Sequence, residues 1–284
     1  MTKLKALLLV LLVALLGVAC GNDDGDDGAD VDTDATAPNQ RAGDTAEQGR
    51  NLKLITAGKL TVCTDLPNAP FGYEEGGKVV GIDADVMRAV GGRLGLEAVF
   101  KDTDFSDFNR IPAALDAGQC DVATSALAVT DERKQALDFS EGYYEIVQSL
   151  LVRKADESKY TDLPTLRGRT VGVQARTAGA EYAKAQAGGN GYTVKEFPGA
   201  AELFAALKAA QVDGVVHDFP VNAHNAKASA DNVVTKKLDS PKVQYGIAMK
   251  KGRDDLKKAV NDALVRIRRD DTYNSILRTY LGQA

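Results

Sequence analysis

Short runs rich in β-branched residues alternate with helical patterns from residue 60 to residue 125, and the same alternation restarts at residue 170. Such a chain is restricted to helices layered on largely parallel sheets, and the restart predicts two bodies of similar construction. Strands are read at 60–64, 98–101 and 121–125, then at 170–174, 194–197 and 214–217. Helices are expected at 83–94, where Val86, Val90 and Leu94 recur at i, i+4 and i+8, and at 111–117, 178–187 and 200–209. Residues 254–269 carry an apolar stripe of Leu256, Val260, Leu264 and Ile267, and a last helix runs through Ile276, Leu277 and Tyr280.

Two extended segments without turn signals, 146–152 and 243–249, lie between and after these halves. They read as paired crossover strands that form a hinge. The first lobe is then discontinuous, 51–145 with 250–284, and the second is 153–240.

The N-terminus sets the compartment. Lys3 and Lys5 precede an apolar run from Ala6 to Leu16, and Gly17-Val18-Ala19-Cys20 resembles the lipobox at which a cysteine is acylated and becomes the mature terminus. Residues 1–20 read as a lipoprotein signal, because the apolar run falls short of the roughly 20 residues that span a bilayer. Residues 21–50 hold eight Asp and one Glu against two Arg and no aromatic residue. They cannot bury enough apolar surface to offset ordering entropy, and read as an acidic tether that holds the folded part ~30 Å from the lipid. The signal contributes +2 and the tether −7 to a total of −5, which leaves the remainder formally neutral. A neutral body offers no basic field for nucleic acid.

Four blocks then carry a resemblance: GKLTVCTDLPNAPFGYEEGGKVVGIDADVMRAV, NRIPAALDAGQCDVATSALAVTDERKQALDFSEGYY, GRTVGVQARTAGAEY and VVHDFPVNA. In this order they are similar to the solute-binding lipoproteins of ABC importers, family 3, the polar amino-acid type. The resemblance covers residues 52–284. It implies an α/β, two-lobe, type II periplasmic-binding-protein-like fold, with two parallel-rich sheets joined by two hinge strands. It also implies capture of a polar amino acid for ABC permease subunits, no cofactor, and a monomer tethered to the membrane.

A zwitterion needs a cation and N–H donors for its carboxylate, and an acid for its ammonium. Arg133, one turn into a helix opened by Thr130-Asp131-Glu132, offers a guanidinium fork. Ser125 and Ala126 sit at the preceding strand end, and Ala128 stands where the family often has a hydroxyl. Arg176-Thr177-Ala178 matches the family's Gly-Thr-Thr turn, whose amides face the carboxylate from a helix N-terminus. Arg176 is expected either to reach an acidic ligand side chain or to point to solvent. Asp218, at a strand's carboxyl end before Pro220, resembles the ammonium acceptor; capping the following helix is the alternative. Asp65 resembles the acidic pocket residue and Phe108 the aromatic cover. Asn68 replaces the opposite aromatic, with Phe71 and Tyr73 close enough to substitute. Arg110 is expected at an acidic side chain or at the surface.

Cys63 and Cys120 fall on strands expected to be neighbours in an oxidising compartment, so a disulfide is favoured over two buried thiols. No CxxC spacing suggests metal or redox chemistry. His217 and His224 are the only histidines and no catalytic motif occurs, so His217 reads as a satisfied strand-end residue. An exported dehydratase on the same fold, or a ligand-presenting sensor module, are the alternative readings.

Overall fold

The computed structural model describes Gly49, residues 51–105 and residues 107–281. Cys20, the expected signal and all but Gly49 of the expected tether lie outside the described residues.

The alternation resolves into two five-stranded sheets. In chain order the first half gives β1 (Lys59–Thr64), a hairpin of β2 (Tyr73–Glu75) and β3 (Lys78–Val80), α1 (Ile82–Leu94), β4 (Glu97–Asp102), α2 (Arg110–Asp116), β5 (Val122–Ala123), α3 (Asp131–Ala136) and β6 (Leu137–Phe139). After β7 (Tyr144–Ile146) come β8 (Gln148–Arg153), β9 (Thr170–Gln174), α4 (Ala178–Asn190), β10 (Thr193–Phe197), α5 (Ala200–Lys208), β11 (Gly214–Asp218), α6 (Phe219–Ala228) and β12 (Asn232–Lys237). The chain closes with β13 (Val243–Tyr245), β14 (Ala248–Lys250), α7 (Asp254–Arg269) and α8 (Thr272–Leu281).

The first sheet has the order β4-β1-β5-β14-β6 and the second β10-β9-β11-β8-β12. Each has three parallel strands, then one strand that runs opposite, and an edge strand paired antiparallel with that one. The periodicities of α1 and α7 place their apolar residues as expected: Val86, Val90, Leu94, Leu256, Val260, Leu264 and Ile267 are all buried, and the two helices pack on one another. Gly81 opens α1 at φ 121, and a Cβ there would fall 2.2 Å from the Phe71 carbonyl oxygen, so only glycine fits.

The expected hinge needs correction at both ends. Residues 148–152 belong to β8, in the second sheet, with Leu150, Leu151 and Val152 fully buried. An unbroken apolar run reads alike whether it crosses between sheets or is covered on both faces, and here both faces are covered. Residues 248–249 lie in β14, inside the first sheet. The chain passes between the sheets on a shorter antiparallel ribbon of β7 and β13, with Tyr144 opposite Tyr245 and Ile146 opposite Val243. The strand expected at 121–125 is paired only at Val122–Ala123, because the chain then turns through Ala126 at φ 49. The hairpin, β6 and β12 are further elements that the periodicities did not reveal.

Candidate functional site

A cleft of about 320 Å³ opens at the carboxyl ends of the parallel strands of both sheets, the place where open α/β sheets bind ligands. From the first lobe, the end of β1 contributes Asp65 and Asn68, and the turn after β5 contributes Ser125, Ala126 and Ala128. Phe108 and Arg133 complete that side. The second lobe contributes Arg176, Thr177 and Ala178 after β9, and Asp218 at the end of β11.

Arg133 is aimed by its helix. Thr130 caps α3, its Oγ1 accepting from the Arg133 amide at 3.2 Å. The guanidinium lies 5.1 Å from the Phe108 ring centroid and donates to the carbonyls of Ala128 at 3.0 Å and Arg176 at 3.1 Å, the second across the cleft. Burial lowers its pKa, and the carboxylates of Glu181, Asp218 and Glu132 oppose that shift; an arginine stays charged regardless. On the opposite side, Thr177 caps α4, accepting from the Ala180 amide at 3.1 Å and donating to the Gln174 carbonyl at 2.8 Å. Its hydroxyl is therefore engaged. With the Ala180 amide taken by Thr177, the first-turn amides of Ala178 and Gly179 are the donors this end presents.

The Asp218 side chain makes no cap bond to α6, which removes the alternative reading of that residue. One oxygen accepts from Gln148 Nε2 at 2.7 Å and the other from the Tyr245 hydroxyl. The Asp65 carboxyl is pushed up to about 6, chiefly by burial, with Asp104 and Asp102 adding to the shift against a hydrogen bond from the Phe105 amide. Asn68 donates to Ser125 Oγ at 3.3 Å, and Ser125 to the Asp65 carbonyl at 3.3 Å.

One expectation changes, and two resolve between their alternatives. Phe71 is fully buried, edge-on to Tyr144 and Tyr245 at 5.5 and 5.1 Å, and lies outside the cleft. Tyr73 faces the His224 ring at 6.3 Å, so neither aromatic stands opposite Phe108. Their spacing from Asn68 is right, but the Asn68–Gly72 bridge turns the chain inward between them. Arg176 takes the exposed alternative, with its charge paired to Asp107 of the other lobe rather than free for a ligand. Arg110 pairs with Asp104 in an exposed position and does not line the cleft.

Cys63 and Cys120 are joined by a disulfide with Cα atoms 5.6 Å apart. His217 is buried, its Nδ1 accepting from the Asp218 amide at 2.8 Å and its Nε2 bonded to Gln174 Oε1 at 3.0 Å. Burial lowers its pKa, and the assigned pattern is a neutral ring with both nitrogens occupied.

Asp83 escaped the sequence reading. Almost wholly buried near the start of α1, it accepts from the Tyr143 hydroxyl at 2.5 Å, Thr124 Oγ1 at 3.0 Å and the Ala126 amide at 2.7 Å. Burial still raises its pKa against those three bonds. The last of them pins the left-handed Ala126, and with it the turn that borders the cleft. The available signal was its spacing: Asp83, Val86 and Val90 share one helical face at i, i+3 and i+7.

Comparison with known proteins now decides the family. Residues 60–283 match the model of the bacterial extracellular solute-binding proteins, family 3. The chain belongs to that family. It is 26% identical over 238 residues to the L-cystine-binding protein TcyJ of Escherichia coli (strain K12), covering 84% of this chain and 88% of that one. Among solved structures, it resembles an ancestral arginine-binding protein bound to arginine, with a TM-score of 0.70 and 34% identity over 79% of this chain and 98% of the other. It also resembles an ancestral amino acid-binding protein, AncCDT-1, a precursor of cyclohexadienyl dehydratase, with a TM-score of 0.70 and 30% identity over 78% and 94%. The fold is the two-lobe, type II arrangement, and the protein is an extracytoplasmic receptor that captures a polar amino acid for an ABC importer.

Proposed function

We propose that the cleft clamps the zwitterion of an amino acid with a positively charged side chain. The observation that carries this reading is that Arg133 and Asp218, from opposite lobes, open into one cleft whose remaining charge is negative. Arg133 and the first-turn amides of α4 take the α-carboxylate, and Asp218 takes the ammonium. Asp65 and Glu202 line the rest, while the charge of Asp104 is engaged by Arg110 and that of Arg176 by Asp107. A cationic side chain offsets the burial, and the lesser effect of Asp104 and Asp102, that raise Asp65. Phe108 covers the aliphatic stem, and Asn68 and Ser125 supply polar contacts beside it. The similar arginine-binding protein supports the same choice. A thermal-shift screen tests it: L-arginine or L-lysine should raise the unfolding temperature, since a ligand at 100 times its dissociation constant stabilises by ~2.7 kcal/mol. A shift with L-glutamate and none with either cation would overturn the choice.

In this reading the protein acts by binding and not by turnover; both nitrogens of His217, the histidine that lines the cleft, are occupied, which removes that ring as an acid–base group. Conversion of a prephenate-like acid by the purified protein would contradict this. Capture closes the lobes about the β7–β13 ribbon; scattering profiles identical with and without saturating amino acid would speak against closure. The receptor is a monomer held to the membrane through lipid on Cys20, a reading supported by the lipobox-like Gly17 to Cys20. Mass spectrometry of the membrane fraction should find an acylated Cys20 terminus, and an unmodified Met1 would refute the anchor.

A further inference from the structure

Both oxygens of Asp218 are already hydrogen-bonded, and the two donors come from the two chain segments that pass between the lobes. Gln148 follows β7 after one residue, and Tyr245 ends β13. We infer that Gln148 and Tyr245 are positioning residues for the ligand's ammonium, acting through Asp218. The inference rests on the reading of Asp218 as the ammonium acceptor.

The two donors differ in what they are fixed to. Gln148 belongs to the body that carries Asp218: it stands opposite Asp218 in the β8–β11 register, and its amide donates to Ser240 Oγ at 2.8 Å. Its side chain is wedged in place, since a Cβ on Gly179, in the first turn of α4, would fall 2.7 Å from Gln148 Oε1. That oxygen has no hydrogen-bond partner among the described residues although the residue is buried, so the bond from its amide nitrogen to the carboxylate is what sets the orientation. Tyr245 belongs to the other body. Its ring packs in the first lobe's core, 5.1 Å from Phe71, 6.2 Å from Tyr144 and 6.4 Å from Tyr143. Burial, with Asp218 adding, pushes its phenol well above 10, so it keeps the proton it donates.

The carboxylate is therefore fixed against both lobes. Two donors that lock its plane leave defined lone pairs for an incoming ammonium, and an acceptor oriented in advance loses less entropy on binding. The geometry also explains the need for glycine at 179: a larger residue would displace Gln148 and release one oxygen of Asp218.

The test compares each amino acid with its des-amino analogue by calorimetry, using L-arginine with 5-guanidinopentanoate and L-glutamine with glutaramate as probes. Tyr245→Phe keeps the ring packing and removes only the hydroxyl. It should weaken the amino acid about fivefold to tenfold, the scale of one ordinary hydrogen bond because the contact acts through Asp218, and leave the analogue within about twofold. Gln148→Met should follow the same pattern. Equal losses on both ligands, or none on either, would reduce Tyr245 to a structural residue and overturn the inference. Asp218→Asn separates the two levels of the argument. If it discriminates amino acid from analogue while Tyr245→Phe does not, only the positioning role falls. If Asp218→Asn fails to discriminate, or the wild-type protein binds neither amino acid, the zwitterion reading falls and the positioning role with it.

Discussion

The two lobes share a sheet order yet present opposite chemistry at corresponding strand ends. In the first lobe the acid, Asp65, follows the first strand, and the donors, Arg133 and the Ser125–Ala126 turn, follow the third parallel strand of the chain's first half. In the second lobe the donors at the N-terminus of α4 follow the first parallel strand, and the acid, Asp218, ends the third. The architecture does not set polarity; the residues at the strand ends do. The lobes also differ in how these ends are supported. A disulfide and the buried Asp83 brace the first. Behind the second lie neutral polar groups, and the four buried side-chain atoms without a partner among the described residues, on Gln148, Asn222, Asn232 and Thr235, all fall in β8, α6 and β12. The first lobe is braced by a covalent cross-link and a buried charge, the second by neutral hydrogen-bonding groups.

The largest effect expected from this difference concerns stability. Replacing both Cys63 and Cys120 by Ser releases a cross-link between residues 57 apart in sequence. It should cost about 2–4 kcal/mol in urea unfolding. Hydrogen exchange should quicken mainly in β1, α2 and β5, while β9 and β11 keep their protection. Loss of protection spread evenly over both sheets would erase the contrast between a lobe braced by a cross-link and one held by neutral hydrogen-bonding groups.

Much of this contrast was legible in the sequence, and the reason is periodicity. The i, i+4 stripes of α1 and α7 specify burial directly, and the helix at 254–269 lies where the stripe placed it. Strand ends were legible too, because Asp65, Ser125 and Asp218 stand where apolar runs stop. Long-range partners were not. Nothing in the run from Gln148 to Arg153 distinguishes a strand buried on both faces from a crossover, so a central strand read as hinge. Nothing near Phe71 announces that Tyr144 and Tyr245 will enclose it from segments more than 70 residues away. Tyr245 and Gln148 meet Asp218 only because two distant segments pair, and the sequence carries no local mark of that meeting.

The crossed polarity is sharpened by removing one pole at a time. Arg133→Ala and Asp218→Ala should each weaken amino-acid binding at least tenfold, since ~1.4 kcal/mol is a factor of ten and a hydrogen bond to a charged group contributes roughly 1.5–3 kcal/mol. Arg133→Lys should restore only part, because it loses the planar fork. A ligand lacking its α-carboxylate should bind the wild type poorly and lose little more on Arg133→Ala. Independent, additive losses for that pair, measured by calorimetry, would mean that Arg133 and the carboxylate do not touch.

The smallest effect expected is the most specific, because it isolates the acid that the first lobe contributes. Asp65 titrates near 6 in the folded protein against an ordinary 3.8, with burial as the main cause. Its proton is therefore held more tightly by the folded chain than by the unfolded one. In the unliganded protein this contribution to stability grows as the pH falls through about 6 and is complete below about 3.8; it is lost as the pH rises through 6. Binding of a cationic side chain runs the other way, since it needs the ionised carboxylate. Between pH 7 and pH 5 the ionised fraction falls about tenfold, so L-arginine affinity should fall by roughly threefold to tenfold. L-glutamine, neutral in its side chain, should change little. Asp65→Asn should flatten the L-arginine profile and bring its affinity at pH 7 down toward the wild-type value at pH 5. An L-arginine affinity that stays level from pH 5 to pH 7 would remove Asp65 from the side-chain subsite, leaving Glu202 to supply the negative charge there.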